Sequence, residues 1–196
     1  MTPAPTPAEV SQIEVHEARE GRFATPHEAV DAVLSLGSNL GEREATLAAA
    51  VRDLATVPGL VVTGVSPLYE SAAVKPDGVD DDAPRYLNLA VGIRFSGDAL
   101  TLLDAVNTIE NEHGRVRAER WGDRTLDIDV VVFGELEQAD ARLTLPHPRA
   151  AERDFVLAPW LDLDWDAVLP GRGAVADLLA AIGSTVHRYP VAEASR

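Results

Sequence analysis

From Asp31 onward apolar and polar residues come in blocks, and the period of each block predicts an element. AVLSLG, residues 32–37, is a short apolar run closed by glycine, with the length and punctuation of a strand. In SNLGEREATLAAAVRDLATVPG, Leu47, Val51 and Leu54 recur at helical spacing until Pro58-Gly59 stops them, which predicts a turn and a helix. LVVTGVSPLYES, 60–71, is rich in β-branched residues and reads as extended chain. AAVKPDGVDDDAPR, 72–85, is crowded with Pro, Gly and Asp and predicts a long mobile loop. YLNLAVGIRF, 86–95, alternates as a strand does. SGDALTLLDAVNTIENEHG sets Leu103, Val106 and Ile109 on one helical stripe and ends at Gly114. A polar loop, RVRAERWGDR, then leads into a fourth strand, TLDIDVVVF.

The order is strand, helix, strand, strand, helix, strand. That is the βαββαβ pattern of an α+β, ferredoxin-like fold: an antiparallel sheet with both helices on one face. C-terminal additions follow: ARLTLPHP as a short strand or turn, a helix near 149–157, a Pro- and Trp-containing segment, and a helix near 174–182. We expect one domain over 31–190, an N-terminal extension over 1–30 that is partly disordered, and a tail at 191–196. The first ten residues are rich in Pro, Ala and Thr.

Composition narrows the function. The chain has 196 residues, 46% apolar, enough for one real core. It has no cysteine, so disulfides and thiolate metal sites are excluded, which fits a reducing cytoplasm. A formal net charge of −15 repels nucleic acid and anionic membrane. The N-terminus lacks the basic start and apolar run of a usual signal peptide, and no stretch reaches the roughly 20 apolar residues of a membrane helix.

The fourth strand carries the chemistry. Asp127 and Asp129 are two residues apart, so they project from one strand face with Cα atoms about 6.5–7 Å apart. Carboxylates so placed can converge on one Mg²⁺ or straddle two, completed by substrate phosphates. The plain alternative is a solvated strand end. Just upstream, Arg115, Arg117, Arg120 and Arg124 are four cations within ten residues; Arg142, Arg149 and Arg153 follow. Guanidinium groups grip phosphate oxygens through paired donors, so carboxylates beside arginines suit phosphoryl transfer. A basic loop paired with Glu110, Glu112 and Glu119 accounts for the same residues without function. Neither a phosphate-binding P-loop nor a dinucleotide G-x-G-x-x-G occurs. His147 lies between two prolines and can donate to a phosphate. Trp121 can cap a ligand, and Tyr86, Asn88 and Phe155 offer stacking faces and an amide for a flat heterocycle.

LSLGSNLG after the first strand, YLN on a later one, GRVRAERWGDRTLDIDVVVFG and LTLPHPRAAERDFVLAP, taken in order, resemble the 6-hydroxymethyl-7,8-dihydropterin pyrophosphokinase family of folate biosynthesis. The likeness runs from about residue 32 to 170. It implies transfer of the β,γ-diphosphate of ATP to the hydroxymethyl oxygen of the pterin, with release of AMP and use of two Mg²⁺ ions. On that likeness Asp127 and Asp129 hold the metal, and Arg115 and Arg124 act on the phosphates. Arg117 and Trp121 belong to a loop that closes over ATP; Glu110, Arg142, Thr144, His147 and Arg153 bind the nucleotide. Tyr86 and Phe155 sandwich the pterin, Asn88 hydrogen-bonds it, and backbone around Ser71, Ala73 and Val74 reads its edge. The partners implied are these two small molecules, with no nucleic acid and no membrane, for a cytoplasmic monomer whose loops at 72–85 and 115–124 close on ligand.

The chain departs from the family pattern in places. Ala72-Ala73 stands where many relatives have Pro-Pro, which loosens the pterin loop. Pro148 and Ala151 replace larger side chains, and the 30-residue extension is outside the family core. Two other classes remain open on sequence: a different Mg²⁺-dependent nucleotide enzyme on the same sheet, separated by the product released, and a ligand-binding regulatory module, separated by whether Mg-ATP binds.

Overall fold

The structure, a computed structural model, describes residues 28–75, 78–80, 83–114 and 125–190. Nearly all of the expected N-terminal extension, the whole Arg-rich loop at 115–124 and the 191–196 tail lie outside the described residues.

Strand β1, Val30–Ser38, is longer at both ends than its apolar run predicts. Its first residues lie at the sheet rim, where exposed Asp31 accepts from Arg94 at 2.8 Å; polar rim residues leave no hydrophobic signal. Helix α1, Arg43–Leu54, follows. The extended stretch after it is two strands, β2, Leu60–Val65, and β3, Tyr69–Ser71. The break falls at Ser66-Pro67. There the Ser66 hydroxyl accepts the Ala90 N–H at 2.9 Å, standing in for a ladder carbonyl, while its own N–H donates to the Ala90 carbonyl. The segment read as loop contains a hairpin, β4, Ala73–Lys75, with β5, Gly78–Asp80. Strands of three residues carry too few apolar positions to show a period.

Strand β6, Tyr86–Phe95, occupies the residues expected of it, and α2, Ala99–Glu112, starts at an Asp98 cap that accepts from Thr101 N at 2.7 Å. Then come β7, Asp127–Phe133, the hairpin of β8, Gln138–Ala139, and β9, Thr144–Leu145, and a 3₁₀ turn at Ala150–Glu152. Helix α3 is Asp154–Leu163, β10 is Val168–Leu169, β11 is Gly173–Ala174, α4 is Val175–Ile182 and β12 is His187–Arg188.

The main sheet runs β12-β3-β6-β1-β7, with β2 also on β6, and its pairings are antiparallel. With the additions removed this is the ferredoxin-like order expected. Helices α1 and α2 pack on one face, where Leu47, Leu54, Leu102, Val106 and Ile109 meet Leu34, Leu36, Leu89, Ile128 and Val130. The opposite face is partly covered by α3, whose Val156, Leu157 and Trp160 pack with Ala90 and Val131. Gly92 and Gly64 make this possible: a Cβ on Gly64 would lie 2.7 Å from the Leu163 side chain, and one on Gly92 3.4 Å from it. The part of that second face which α3 leaves open carries the polar residues.

Candidate active site

Register assembles the site. Along a strand neighbours alternate faces, and Leu36, Leu87, Leu89 and Ile128 all point to the α1/α2 core. Gly37, Asn88 and Asp127 therefore point the other way. They are also direct partners: Tyr69 pairs with Asn88, Asn88 with Gly37, and Gly37 with Asp127. The next row of that face is Ala90, Ser35, Asp129. Strands sit about 4.8 Å apart, so Asn88 and Asp127 are separated by about 10 Å across a glycine. Between the amide and the carboxylate, the floor is bare backbone.

On the Asn88 side, its buried Nδ2 donates to the Ser71 hydroxyl at 2.9 Å, and Ser71 pairs with Tyr86. Tyr86 and Asn88 both border Gly37: a Cβ there would be 3.7 Å from Tyr86 Cδ1 and 3.2 Å from Asn88 Oδ1. Ser71, Tyr86 and Asn88 are thus one cluster. Ala73 is buried and pairs with Asp80, and Val74 pairs with Val79, in the adjoining hairpin.

On the Asp129 side, Arg153 donates to Asp129 Oδ2 at 3.1 Å, and His147 Nε2 is 3.7 Å from the same oxygen. The Arg153 guanidinium also lies over the Phe155 ring, 5.5 Å from its centre, so one cation touches both a metal candidate and a pterin candidate. Burial pushes the His147 imidazole below its ordinary value; the Asp129 carboxylate pulls upward, while Arg153 and Arg149 press further down. The ring is therefore neutral at pH 7. Its Nδ1 accepts the Arg149 N–H at 3.2 Å, which leaves the proton on Nε2, the nitrogen facing Asp129. His147 is held ready as a hydrogen-bond donor. His147 and Thr144 share the walls of a cavity of 430 Å³ with Glu137 and Arg172.

Asp127 and Asp129 fit a magnesium site by their donor set. Among the described residues no three His, Cys, Asp or Glu side chains converge on a metal position. Two carboxylates with the other positions left to phosphate and water is the way Mg²⁺ is commonly held.

Two expected nucleotide residues have other contacts. Glu110 is buried, 1% exposed, and its Oε1 accepts the Ile128 N–H at 2.8 Å. Ile128 lies between the two aspartates on a terminal strand, so this carboxylate from α2 holds the outer edge of β7. Arg142 pairs with Asp104 of α2, and its turn is tied by Asp140, whose carboxylate accepts from Arg142 N and Leu143 N. Arg115, Arg117, Trp121 and Arg124 lie outside the described residues. Gly37 was not singled out in the sequence, although a glycine inside a strand run is the signal of a close backbone approach.

The model of one protein family, 7,8-dihydro-6-hydroxymethylpterin-pyrophosphokinase, matches residues 33–165, from β1 to beyond α3. The chain belongs to this family. Every described residue of the two clusters, from Ser71 to Phe155, is inside that span. A 2-amino-4-hydroxy-6-hydroxymethyldihydropteridine pyrophosphokinase of Synechocystis is 37% identical over 85% of this chain and 83% of its own. Those of Bacillus subtilis and Pseudomonas aeruginosa are 43% and 41% identical, over 67% and 76% of this chain and 77% and 89% of theirs. A solved structure of Plasmodium falciparum HPPK-DHPS superposes with a TM-score of 0.64 at 14% identity, over 84% of this chain and 50% of that one. That likeness supports the ferredoxin-like pyrophosphokinase fold, and this chain spans half of that longer protein.

Proposed function

We propose that the chain transfers the β,γ-diphosphate of ATP to the hydroxymethyl oxygen of 6-hydroxymethyl-7,8-dihydropterin. The hydroxyl oxygen bonds to the β-phosphorus and gives up its proton to solvent, the bond from that phosphorus to the α–β bridging oxygen breaks, and AMP leaves with that oxygen. The observation that carries this reading is the row Asn88, Gly37, Asp127. A flat heterocycle over Gly37, with its edge on Asn88 and a ring face on Tyr86, directs its substituent toward the aspartates.

Each side chain then has a task. Asn88, oriented by Ser71, hydrogen-bonds the pterin edge; Tyr86 and Phe155 stack on it; the backbone at 71–74 borders it. Asp127 and Asp129 hold two Mg²⁺ ions, which, when bound, neutralise the phosphates and lower the pKa of the attacking hydroxyl. His147 donates through Nε2 to a phosphate oxygen, and Arg153 exchanges Asp129 for phosphate as the nucleotide arrives. Arg115 and Arg124 act on the phosphates, and Arg117 and Trp121 on the closing loop; Thr144 and Arg142 border the nucleotide. Catalysis is positioning and charge stabilisation. Both substrates are small molecules, and no helix among the described residues is long and apolar enough to cross a membrane. The absence of cysteine and the charge of −15 support a cytoplasmic monomer.

The test is product identity. Incubation with ATP, Mg²⁺ and the hydroxymethyl pterin yields AMP and the pterin diphosphate in equal amounts. Release of ADP or pyrophosphate instead, or no turnover, refutes the assignment.

A further inference from the structure

We infer that Arg43 and Asn39, in the turn between β1 and α1, form a clasp that sets the geometry of the pterin wall; the inference rests on the function proposed above. Neither residue belongs to the clusters already described.

Arg43 opens α1. One of its terminal nitrogens, Nη1, donates to the Arg85 carbonyl at 2.7 Å and to Glu70 Oε1 at 3.1 Å. Its guanidinium carbon also lies 5.8 Å from the centre of the Tyr189 ring, which closes one side of it. Asn39 is buried, and its Nδ2 donates to the Pro84 carbonyl at 3.4 Å. Two consecutive carbonyls, Pro84 and Arg85, are therefore held by two side chains of one short turn.

The carbonyls and the carboxylate so held are the ones next to the site. Arg85 immediately precedes Tyr86. Glu70 lies between Tyr69 and Ser71 in β3 and pairs with Leu87. Alternation puts Glu70 on the helix face while Ser71 faces the site, so Arg43 pulls on the back of the residue pair whose front orients Asn88. Asn39 is two residues beyond Gly37, the floor of the same site. One turn thus ties the floor, the Tyr86 entry and the Ser71 strand into a single frame. Elsewhere an ion pair of this exposure contributes little to stability, but here its value is positional: the same cation fixes the main chain that enters β6 and a side chain on β3. The planar guanidinium serves both acceptors in fixed directions, which a lysine ammonium on its flexible stem does not.

The clasp acts on the pterin and leaves the nucleotide residues alone, so the two affinities separate. The experiment is calorimetric titration of Arg43→Ala, Arg43→Lys and Asn39→Ala with the hydroxymethyl pterin, each protein saturated with Mg²⁺ and a nonhydrolysable ATP analogue, and separately with the analogue alone. Charge-assisted hydrogen bonds of this kind correspond to roughly ten- to a hundredfold, and we expect about a tenfold loss of pterin affinity in Arg43→Ala. Arg43→Lys recovers part of it, Asn39→Ala shows a smaller loss in the same direction, and analogue affinity stays within about twofold. If Arg43→Ala does not fold, the other two variants carry the test. Unchanged pterin affinity in the folded variants, or an equal fall for pterin and analogue, overturns the clasp while leaving the function standing. A wild-type chain that binds no pterin under these conditions overturns the function on which it rests.

Discussion

Replacing Gly37 by alanine probes the site with a single methyl group. Gly37 sits between Asn88 and Asp127 in the sheet, and its φ is not among the positive ones, so the backbone accepts alanine without strain. Removing a glycine from the unfolded chain stabilises the fold by about 0.4–1 kcal/mol. Against this, the new Cβ would stand 3.2 Å from Asn88 Oδ1, so the amide has to retreat by a few tenths of an ångström. It has little room to do so. Asn88 is 4% exposed and its Nδ2 is held at 2.9 Å by Ser71. Weakening that bond costs about 0.5–1.5 kcal/mol, which cancels most of the entropic gain and leaves Tm nearly unchanged. Binding has no such compensation. The amide that meets the pterin edge is displaced, and the methyl occupies the floor on which the ring must lie. A further 1.4 kcal/mol or so is lost on binding, about tenfold in affinity. The assay is titration of the hydroxymethyl pterin into Gly37→Ala saturated with Mg²⁺ and a nonhydrolysable ATP analogue, alongside a thermal melt. A variant that melts like the wild type and binds pterin equally well would refute the placement of the ring over Gly37.

Three further outcomes follow from the same geometry. Asp127→Ala and Asp129→Ala should each nearly abolish AMP release while far-ultraviolet circular dichroism stays unchanged; near-wild-type turnover in both would remove the aspartates from the chemistry. Glu110→Ala strands the buried Ile128 N–H and should lose about 1–3 kcal/mol of unfolding free energy, whereas Glu110→Gln, which keeps an acceptor, should lose much less; denaturant titration of the pair checks this. Asp162 is raised by burial but pulled further down by Arg188 at 2.9 Å and by the Tyr69 hydroxyl at 2.6 Å, so its carboxyl lies below the usual aspartate value. Its contribution is complete above pH about 4 and is lost as pH falls through the lowered value, since the unfolded chain takes up the proton first. Asp162→Asn should therefore flatten that part of the acid limb of the stability–pH curve, and an unaltered limb would count against the network.

Local pattern carried the reading a long way. The 86–95 strand, the two helices of the core and the same-face placement of Asp127 and Asp129 follow from periods of 2 and 3.6, which act over a few residues. Where runs were short or polar, as in the β4–β5 hairpin, the rim of β1 and the break at Ser66-Pro67, period had nothing to act on. Partner choice was equally hidden. Glu110, expected at the nucleotide, has its described contact with the β7 backbone, and Arg142 with Asp104, because a side chain's nearest donor depends on which element packs beside it.

The amino-acid sequence by itself determined the element order, the split βαβ topology it implies, and the residue types needed to bind phosphate, metal and a flat ring. Only the tertiary structure decided the register that sets Gly37 between Asn88 and Asp127, the tautomer of His147, and the grip of Arg43 on Arg85 and Glu70. That register and the Arg43 grip join residues 27 to about 90 positions apart, as from Arg43 to Glu70 at one end and Gly37 to Asp127 at the other. Each is created by packing two faces of one sheet against different helices, a constraint that acts on the folded chain as a whole and leaves no period along it.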